Sequence, residues 1–542
     1  MISSGDFDGG NAKEDRPFVP ERHVSPKCAS YYSYCERLDN ESTLRMSKAM
    51  MTLIWRSRLL WLALGAVLPS VAHARWLEAR SDNFIVTSDG SEAGLRESTA
   101  LLENYDRLLR TLTETAAPPS PAPLKVYLVG SAGKLRQVVR LPENALGVYM
   151  ARVGGTAALS ARGDRPGLGG EEVLLHEYAH HFMNRYYPAA YPAWYSEGFA
   201  EYVMTARFLN DRIEIGRPNP GRAANLLRGT WLPVKRIFAS GRSGLSAAQL
   251  PQFYAQSWLI VHYLFAAPER REALTRYLAD LHRGVAEPTA FQSAFGKDHA
   301  AFDADLKRYR DGGIGFGAMG RDQGALPAIA ISALPDSADD LLLRQVALNL
   351  GIPDPAVEAE TLKAIRAVAA RYPGDAYAQR VLARAEIGSG DRAAGIAIID
   401  NLIAKTPPDA ELFYYRGIAD FFAGRQDEAR RAELYAAAHG WFAKAIAVDP
   451  SYYTALYRHA LTTPNAGAAQ SEEVLGELQT AHKLAPLVGD IAIDAATALA
   501  DHHRYAEAAA AILPIATDPH GGNVQRAQSL LHRIQAEAAA RQ

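Results

Sequence analysis

Two histidines and a glutamate between residues 171 and 201 have the types and spacing that metal chemistry needs. His176 and His180 are four positions apart, so in a helix they lie about 40° apart around the axis and one turn apart along it. Two imidazoles on one face can bind a single metal ion. Glu177 is rotated by about 100° from His176, which places its carboxylate beside the metal, where it can take a proton from a bound water. The motif therefore predicts hydrolytic chemistry at a divalent metal.

A catalytic zinc site usually has three protein ligands and one open position, and Glu197 is the candidate for the third ligand. It lies in the segment Ser-Glu-Gly-Phe-Ala-Glu, which ends at Glu201. Glu197 and Glu201 are again four positions apart, so they share a helical face. His181 is rotated by about 100° from His180, and we expect it to support the site rather than to bind the metal.

Two helices must position these side chains. Apolar residues recur at positions 174, 178 and 182 and at positions 175, 179 and 183, a spacing that predicts an amphipathic helix around the histidines. Glu171 and Glu172 stand at its start, where the helix dipole favours negative charge, and prolines at 188 and 192 mark its exit. A second helix, predicted from about residue 193 to residue 208, carries Glu197.

The motif His-Glu-Tyr-Ala-His, followed seventeen positions after its second histidine by Glu in a Trp-x-Ser-Glu-Gly-x-Ala-Glu context, resembles the gluzincin clan of zinc peptidases. The likeness is greatest to the bacterial peptidase-MA-like proteins that carry tetratricopeptide repeats. The motif is also similar to that of aminopeptidase N, whose third ligand lies in an Asn-Glu-Gly-Phe-Ala segment slightly farther downstream. The resemblance implies one Zn²⁺ ion bound by His176, His180 and Glu197, with Glu177 as general base. It also implies that Glu201 is a hydrogen-bond partner of a ligand histidine.

Composition narrows the classes of function. A chain of 542 residues is long enough for more than one domain. Its hydrophobic content of 48% and charged content of 22% are ordinary for a globular protein, and its formal net charge of −2 argues against nucleic acid as a partner. Cys28 and Cys35 are its two cysteines, a pair too isolated to predict a metal or redox site.

Residues 50–74 have the pattern of a signal peptide. Arg56 and Arg58 form a basic segment, residues 59–68 form an apolar core, and Ala-His-Ala at 72–74 is a cleavage signal. The apolar run is too short for a membrane-spanning helix. An uncleaved membrane anchor is the competing interpretation.

A signal peptide begins near the start of a chain, so we interpret residues 1–49 as a non-native upstream extension and expect translation to start at Met50 or Met51. The mature chain would then begin at Arg75, contain no cysteine and keep no stable membrane span. Together with the family resemblance, this predicts an exported protein, periplasmic or secreted.

The part from residue 75 to residue 320 has an α+β pattern. The predicted elements are strands at 83–88 and 124–129, a helix at 92–114, and a hairpin formed by 147–153 and 156–161. In gluzincins the strand before the metal helix commonly pairs with extended substrate, and the resemblance assigns that role to one of the hairpin strands, preferably 156–161. An ordinary inner hairpin is the alternative.

Tyr254 is a further catalytic candidate. Residues 250–268 predict a buried helix. Aminopeptidase-like relatives use a downstream tyrosine to donate a hydrogen bond to the developing oxyanion, so the resemblance gives this role to Tyr254, with His262 as second choice. Core packing with a hydroxyl at the rim is the alternative interpretation.

The C-terminal part, residues 336–542, is rich in alanine and repeats. Pro-Gly-Asp-Ala at 373–376 matches Pro-Pro-Asp-Ala at 407–410, 34 residues later, and later units open at Pro450 and Pro486, with spacings of 43 and 36. Ala385 matches Ala419, Gly390 matches Gly424, and the extra length falls in residues 428–440. A 34-residue helix-turn-helix period predicts a tetratricopeptide-type solenoid. Its concave side would bind a peptide or protein partner, or the array would simply cap the first domain.

The sequence thus predicts an α+β zincin-like metallopeptidase domain followed by an all-α solenoid. The predicted function is zinc-dependent hydrolysis of peptide bonds in peptide or protein substrates in the bacterial envelope, with the repeats binding partner or substrate. One alternative is a periplasmic scaffold whose metal site has decayed. The other is a hydrolase of non-peptide amide bonds, which would use the same catalytic residues.

Overall fold

The computed structural model describes residues 75–141, 146–162, 170–189, 191–322, 324–463, 471–518 and 522–541. The predicted upstream extension at 1–49 and signal peptide at 50–74 lie outside these residues, so both stay predictions.

The strands of the described residues form two sheets. In chain order the strands are β1 (Leu77–Arg80), β2 (Phe84–Ser88), β3 (Leu124–Val129), β4 (Gly147–Arg152), β5 (Gly155–Ala161), β6 (Arg207–Phe208), β7 (Arg212–Ile215), β8 (Gly317–Gly320) and β9 (Ala330–Ala333). The larger sheet has the order β4-β5-β3-β2-β1-β9, and the smaller one has the order β6-β7-β8. Strands β2, β3 and β5 run parallel, whereas β1, β4 and β9 pair antiparallel with their neighbours.

Strand β4 lies at the edge of the larger sheet, and β5 lies between β4 and β3. The prediction that residues 156–161 form the open edge is therefore wrong. The hairpin itself forms as expected, with Val148 opposite Leu159. The order differs because β5 also pairs in parallel with β3, a non-local contact that has no signal in the hairpin sequence.

The first part of the chain packs its helices around these sheets. In chain order these helices are α1 (Glu92–Thr113), α2 (Ala132–Val138), α3 (Gly170–Tyr186), α4 (Ala193–Val203), α5 (Pro220–Arg228), α6 (Val234–Ser240), α7 (Leu250–Phe265), α8 (Pro268–His282), α9 (Glu287–Phe295) and α10 (His299–Asp311). The predicted second helix ends at Val203 rather than near residue 208. It stops early because Arg207 and Phe208 pair with β7.

The remaining helices belong to the C-terminal part. They are α11 (Ala338–Leu350), α12 (Pro355–Arg371), α13 (Ala376–Ser389), α14 (Arg392–Lys405), α15 (Ala410–Gln426), α16 (Arg431–Val448), α17 (Tyr453–Thr462), α18 (Glu472–Leu484), α19 (Gly489–Asp501), α20 (Tyr505–Ala516) and α21 (Val524–Ala540). This part is an all-helical repeat array, as predicted.

Successive helical pairs of this array begin where the sequence period places them. Helices α13, α15, α17 and α19 each start three residues after a unit-opening proline. Asp375 and Asp409 cap the first two by accepting hydrogen bonds from main-chain N–H groups of the first turn. Ala385 and Ala419 are both fully buried, so their predicted equivalence is confirmed.

The match between Gly390 and Gly424 does not hold. Gly390 caps the end of α13, whereas Gly424 lies inside α15, which continues to Gln426. A Cβ atom on Gly424 would press on the ring of Tyr435 in α16. The longer α15–α16 pair thus needs this glycine for close packing rather than for a turn.

Both faces of the larger sheet are covered, because its central strands alternate between two cores. Val126 of β3 belongs to the core under α1 and α3, whereas its neighbour Tyr127 packs with Leu342 and Val346 of α11. The first helix of the C-terminal part therefore completes the core of the sheet.

The end of the repeat array returns to the edge of the same sheet. Ala151 and Val153, at the tip of the β4–β5 hairpin, pack against the apolar cluster of α17–α21. Arg185 at the end of α3 donates a 3.0 Å hydrogen bond to the carbonyl of Leu484. All described residues fall within one compact unit, Ala72–Gln542. Among them no helix has both the length and the apolar character needed to cross a membrane.

Candidate metal centre

Helix α3 carries the two histidines of the motif and begins directly beside the end of β5. A Cβ atom on Gly170, its first residue, would overlap the carbonyl oxygen of Ala161. The hydroxyl of Ser160 donates a 2.7 Å hydrogen bond to the carbonyl of Gly170. Leu174 and Tyr178 bury the inner side of the helix. These contacts fix α3 on the sheet and set the direction in which its histidines project.

The two imidazoles and the Glu197 carboxylate meet at one point. Nε2 of His176 lies 3.2 Å from Nε2 of His180. Oε2 of Glu197 lies 3.3 Å from the first nitrogen and 3.4 Å from the second. All three side chains are buried. Among the described residues, they form a group of histidine and carboxylate side chains close enough to share one metal ion.

These separations fit a tetrahedral metal ion. Bonds from zinc to imidazole nitrogen or carboxylate oxygen are about 2.0–2.2 Å long, and two such ligands at a tetrahedral angle are about 3.3–3.6 Å apart. The observed distances of 3.2, 3.3 and 3.4 Å agree with that spacing. Two histidines and one glutamate are also a ligand set of zinc hydrolases. The predicted ligands His176, His180 and Glu197 therefore fit one Zn²⁺ ion.

Glu197 reaches the histidines because α4 packs closely on α7. A Cβ atom on Gly198 would overlap the carbonyl of Ser257 and contact Val261. Trp194, one turn earlier, is buried in a ring stack against Phe238, with centroids 4.4 Å apart. The glycine after Glu197 thus serves helix packing, and the packing holds the carboxylate over α3.

Polar groups outside the triangle orient its members. The hydroxyl of Ser196 lies 3.1 Å from Nδ1 of His180, so the hydroxyl restrains the ring while Nε2 faces the triangle. Nη1 of Arg242 donates a 3.4 Å hydrogen bond to Oε1 of Glu197. This contact leaves Oε2 as the atom directed at both imidazoles.

Glu201 has a different main partner from the one the resemblance implied. Its carboxylate accepts two hydrogen bonds from Arg222, and the one from Nε is 2.8 Å long. The carboxylate is almost completely buried. Its Oε1 is 3.7 Å from Nδ1 of His176, which is longer than a hydrogen bond. Burial lowers the pKa of Arg222, but the hydrogen bond and charge of Glu201 outweigh it and raise the pKa overall.

Tyr254 lies beside the triangle on α7. Its ring centroid is 6.5 Å from that of His176, and the guanidinium groups of Arg222 and Arg242 lie 4.8 and 5.6 Å from its ring centroid. Burial, and then the charge of Glu197, raise the pKa of Tyr254 well above its usual value. Its hydroxyl therefore stays protonated at neutral pH and can act as a donor.

The other two histidines named by the sequence lie outside the triangle. His181 shares a 3.0 Å hydrogen bond with the hydroxyl of Tyr149, and burial, followed by the charge of Arg185, lowers its pKa to about 3. His262 hydrogen-bonds Tyr309, with 2.8 Å between Nδ1 and the hydroxyl, and Nε2 is 3.2 Å from the carbonyl of Gly315. His181 is therefore a packing neighbour of the motif, as expected, and His262 has partners of its own.

A cavity of about 240 Å³ opens beside the centre. Glu177, His180 and Ser196 line one side of it, with strand β4 along another. Glu177 is partly exposed, so its carboxylate can meet a molecule in the cavity. Glu177 and His180 thus face a space large enough for part of a ligand.

Sequence reasoning missed Arg222, Arg242 and Ser196. Ser196 precedes the third ligand directly, so a hydroxyl next to Glu197 was a signal that could have been used. The arginines lie 21 and 45 residues from their carboxylate partners, and nothing in the local pattern separates them from the other arginines.

Comparisons with known proteins give structural matches of low score. No family model and no curated protein matches the chain. Among solved structures, it is similar to a thermophilic TPR protein of Thermus thermophilus, with 20% identity over 36% of this chain and 99% of the other, at a TM-score of 0.31. It is also similar to a double mutant of MamA RS-1, with 13% identity, coverages of 38% and 97%, and a TM-score of 0.24. MamA MSR-1 shows 17% identity, coverages of 33% and 89%, and a TM-score of 0.23. These scores are too low to support further argument, and the repeat assignment rests on the helical pairs themselves.

Proposed function

We propose that this protein hydrolyses peptide bonds with a single zinc ion held by His176, His180 and Glu197. The observation that supports the proposal most is the convergence of His176 Nε2, His180 Nε2 and Glu197 Oε2 within 3.4 Å of one another. When bound there, zinc supplies Lewis acidity and lowers the pKa of a water molecule toward neutrality.

Glu177 is the general base in this proposal. It follows His176 on α3 and lines the cavity next to His180. Its carboxylate takes a proton from the attacking water, whose oxygen forms a bond to the peptide carbonyl carbon. Glu177 then delivers that proton to the amide nitrogen as the carbon–nitrogen bond breaks, so that a carboxylate and an amine leave.

Tyr254 is the proposed donor to the oxygen of the tetrahedral intermediate. Its hydroxyl is protonated at neutral pH, as in an ordinary tyrosine, and its ring is close to that of His176. One such donor contributes about 3 kcal/mol to transition-state stabilisation. Arg222 and Arg242 face its ring and hold it against the site.

Strand β4 is the proposed docking edge for an extended substrate. The cavity is lined by Val148, Tyr149, Met150, Ala151 and Arg152, five consecutive residues of this strand. Alternate residues of a strand point to opposite faces of a sheet, so a cavity that touches all five must run along the edge. An open edge offers main-chain N–H and C=O groups to an extended peptide without selecting its side chains.

Zinc content and peptide cleavage test the proposal. The purified full chain should contain one zinc ion, and His176→Ala should lose it, whereas His532→Ala on the exposed side of α21 should keep it. Glu177→Gln should retain zinc yet reduce kcat by about a thousandfold, because a general base contributes about 10²–10⁴ in rate. Stoichiometric zinc in His176→Ala would refute the ligand assignment, and full turnover in Glu177→Gln would refute the base.

A catalytically silent scaffold is the second candidate function. It is favoured by the position of the repeat helices, whose last members pack on Ala151 and Val153 of the hairpin beside the cavity. A purified chain that contains no zinc and cleaves no peptide in a mixed library would favour this function over hydrolysis. Export to the cell envelope is part of either proposal and can be tested by fractionating cells that express the full chain.

A further inference from the structure

The cavity beside the metal centre has a second wall that belongs to the other part of the chain. Leu487, Pro514 and Ile515 line it together with strand β4 and Glu177. Leu487 lies in the turn between α18 and α19, and the other two residues end α20. The space next to the catalytic candidates is therefore bounded by the last repeats, which are more than 300 residues away in sequence.

This second wall is fixed to the first part of the chain. Arg185 follows the histidines on α3 and donates a hydrogen bond to the carbonyl of Leu484 at the end of α18. The hairpin residues Ala151 and Val153 are packed into the apolar cluster that contains Leu487 and Ile515. The wall and the edge strand thus share one core, so the width of the space between them is set by packing.

The wall offers apolar as well as polar side chains. Leu487, Pro514 and Ile515 are apolar, and Thr517, Asp518 and Asn523 of the same repeats also line the cavity. A strand paired with an edge lies about 4.8 Å from it and points alternate side chains to opposite faces. A peptide lying on β4 would therefore have its main chain satisfied by the strand, and one of its side chains could reach Leu487.

We propose that the last repeats form the second wall of the substrate channel, and that Leu487 selects an apolar side chain of an extended peptide bound along β4. This inference rests on the proposed function for the chemistry at the metal, but peptide binding to the channel can be measured without turnover. In this proposal the repeats contact the substrate bound at the metal centre of the same chain and contribute to its selection.

Leu487 gives the sharper test, because it is partly exposed, whereas Ile515 is buried in the core. Leu487→Trp fills the channel and Leu487→Ala widens it. Leu531 is the matched control, because it is also a partly buried leucine of the same cluster but does not line the cavity. Leu531→Trp and Leu531→Ala therefore reproduce any general effect on the repeat core.

The measurement uses the zinc-loaded full chain that also carries Glu177→Gln, so that peptides bind without being cleaved. The probes are fluorescein-labelled dodecapeptides in which a single leucine is moved along an alanine-rich sequence, with aspartate or lysine in its place as comparison. Fluorescence anisotropy gives the Kd for each peptide. Leu487→Trp should weaken binding of the best leucine peptide by about tenfold or more, since one apolar contact discriminates by about 10–200-fold. The same change at Leu531 should leave its Kd within about twofold.

The outcomes separate this proposal from the proposed function. Three results would each refute the proposed wall. They are equal affinities for leucine, aspartate and lysine peptides, no peptide binding at all, and an unchanged Kd in both Leu487 variants. A different result is that the wild-type chain cleaves nothing but binds a peptide, and that Leu487→Trp abolishes this binding. That result would support the proposed wall and refute the proposed hydrolysis. If the wild-type chain does cleave, the position of leucine that gives the lowest Kd should also give the highest kcat/KM.

Discussion

The two parts of this protein bury charge in different ways. Around the metal centre, Glu197 and Glu201 are both almost completely buried, and each has an arginine partner within the same interior. In the repeat array the most buried glutamate is Glu386, and its partner Arg366 keeps about half of its side chain in solvent. Burying a carboxylate is costly unless partners compensate it. The first part accepts that cost in order to place oxygen atoms beside two imidazoles, whereas the Glu386 pair of the repeat array stays open to water on its arginine side.

Close helix packing has different consequences in the two parts. The repeat array brings its helices together at small residues, among them the fully buried Ala385 and Ala419 and the glycine Gly424. In the first part, α4 approaches α7 closely at Gly198, directly after a metal ligand candidate. A packing error in the array would loosen one pair of helices, whereas an error at Gly198 would move Glu197. The two parts therefore differ in how directly stability is coupled to the site.

Replacement of a buried arginine should give the largest difference in unfolding free energy between the two parts. Arg222→Met leaves the Glu201 carboxylate buried without its two hydrogen bonds, and breaking such a pair costs about 3–5 kcal/mol of unfolding free energy. Arg366→Met should cost only a small fraction of that, because water can reach the Glu386 pair. Urea denaturation of both variants without added zinc makes the comparison.

A double variant identifies the cause of the loss. If the uncompensated charge is responsible, Arg222→Met combined with Glu201→Leu should recover most of the stability lost by Arg222→Met alone. Similar losses in Arg222→Met and Arg366→Met would contradict the contrast drawn between the two parts.

A second comparison uses glycines within helices. Gly198→Ala places a methyl group on the carbonyl of Ser257, and neither backbone can move without shifting α4 or α7. We expect a loss of about 3 kcal/mol in unfolding free energy together with weaker zinc binding, measured by denaturation and by competition with a chelator. Gly440→Ala is the matched control in α16, because nothing lies within 4 Å of its Cβ position. That change should stabilise the chain by about 0.5–1 kcal/mol and leave zinc affinity unchanged. Equal effects at both positions would show that Gly198 has no special role.

These comparisons also show what the sequence could predict. The shared face of His176 and His180 follows from their spacing within one helix, whereas the choice of Glu197 rests on the resemblance of its segment to the gluzincin motif. The starts of α13, α15, α17 and α19 follow from the recurring prolines, since a repeat is a local unit that recurs along the chain. In both cases the information lies within a few tens of residues.

The features that the sequence did not predict depend on contacts between residues far apart in the chain. The edge position of β4 depends on β5 pairing with β3, a strand that lies more than 25 residues earlier. The partnership of Arg222 with Glu201 depends on how α5 packs beside α4 and α7. Leu487 is a single apolar residue in a turn, and only the folded chain places it in the same cavity as Glu177. Each of these depends on tertiary contacts that have no periodic signal.

The smallest expected effect concerns a histidine of the repeat array. Nδ1 of His180 has the hydroxyl of Ser196 beside it, whereas Nδ1 of His482 is buried with no hydrogen-bond partner among the described residues. Burial lowers the pKa of His482 to about 4, compared with about 6.5 in the unfolded chain. Between those values the unfolded chain binds a proton that the folded chain does not, so stability falls as the pH is lowered. A single such group should cost about 2 kcal/mol of unfolding free energy between pH 7 and pH 5.

The change that tests this is His482→Gln, which keeps a polar side chain but cannot take up the proton. Urea denaturation at pH 7 and pH 5 should show a difference between the two pH values that is about 2 kcal/mol smaller in His482→Gln than in the wild-type chain. His503→Gln is the control, because His503 is exposed, and it should leave the wild-type difference unaltered. If His482→Gln and the wild-type chain lose the same free energy on acidification, the acid sensitivity must come from other buried groups. His181 beside the metal centre would be the next to substitute, because burial lowers its pKa as well. In that case the loss of stability at low pH would arise in the first part of the chain rather than in the repeat array.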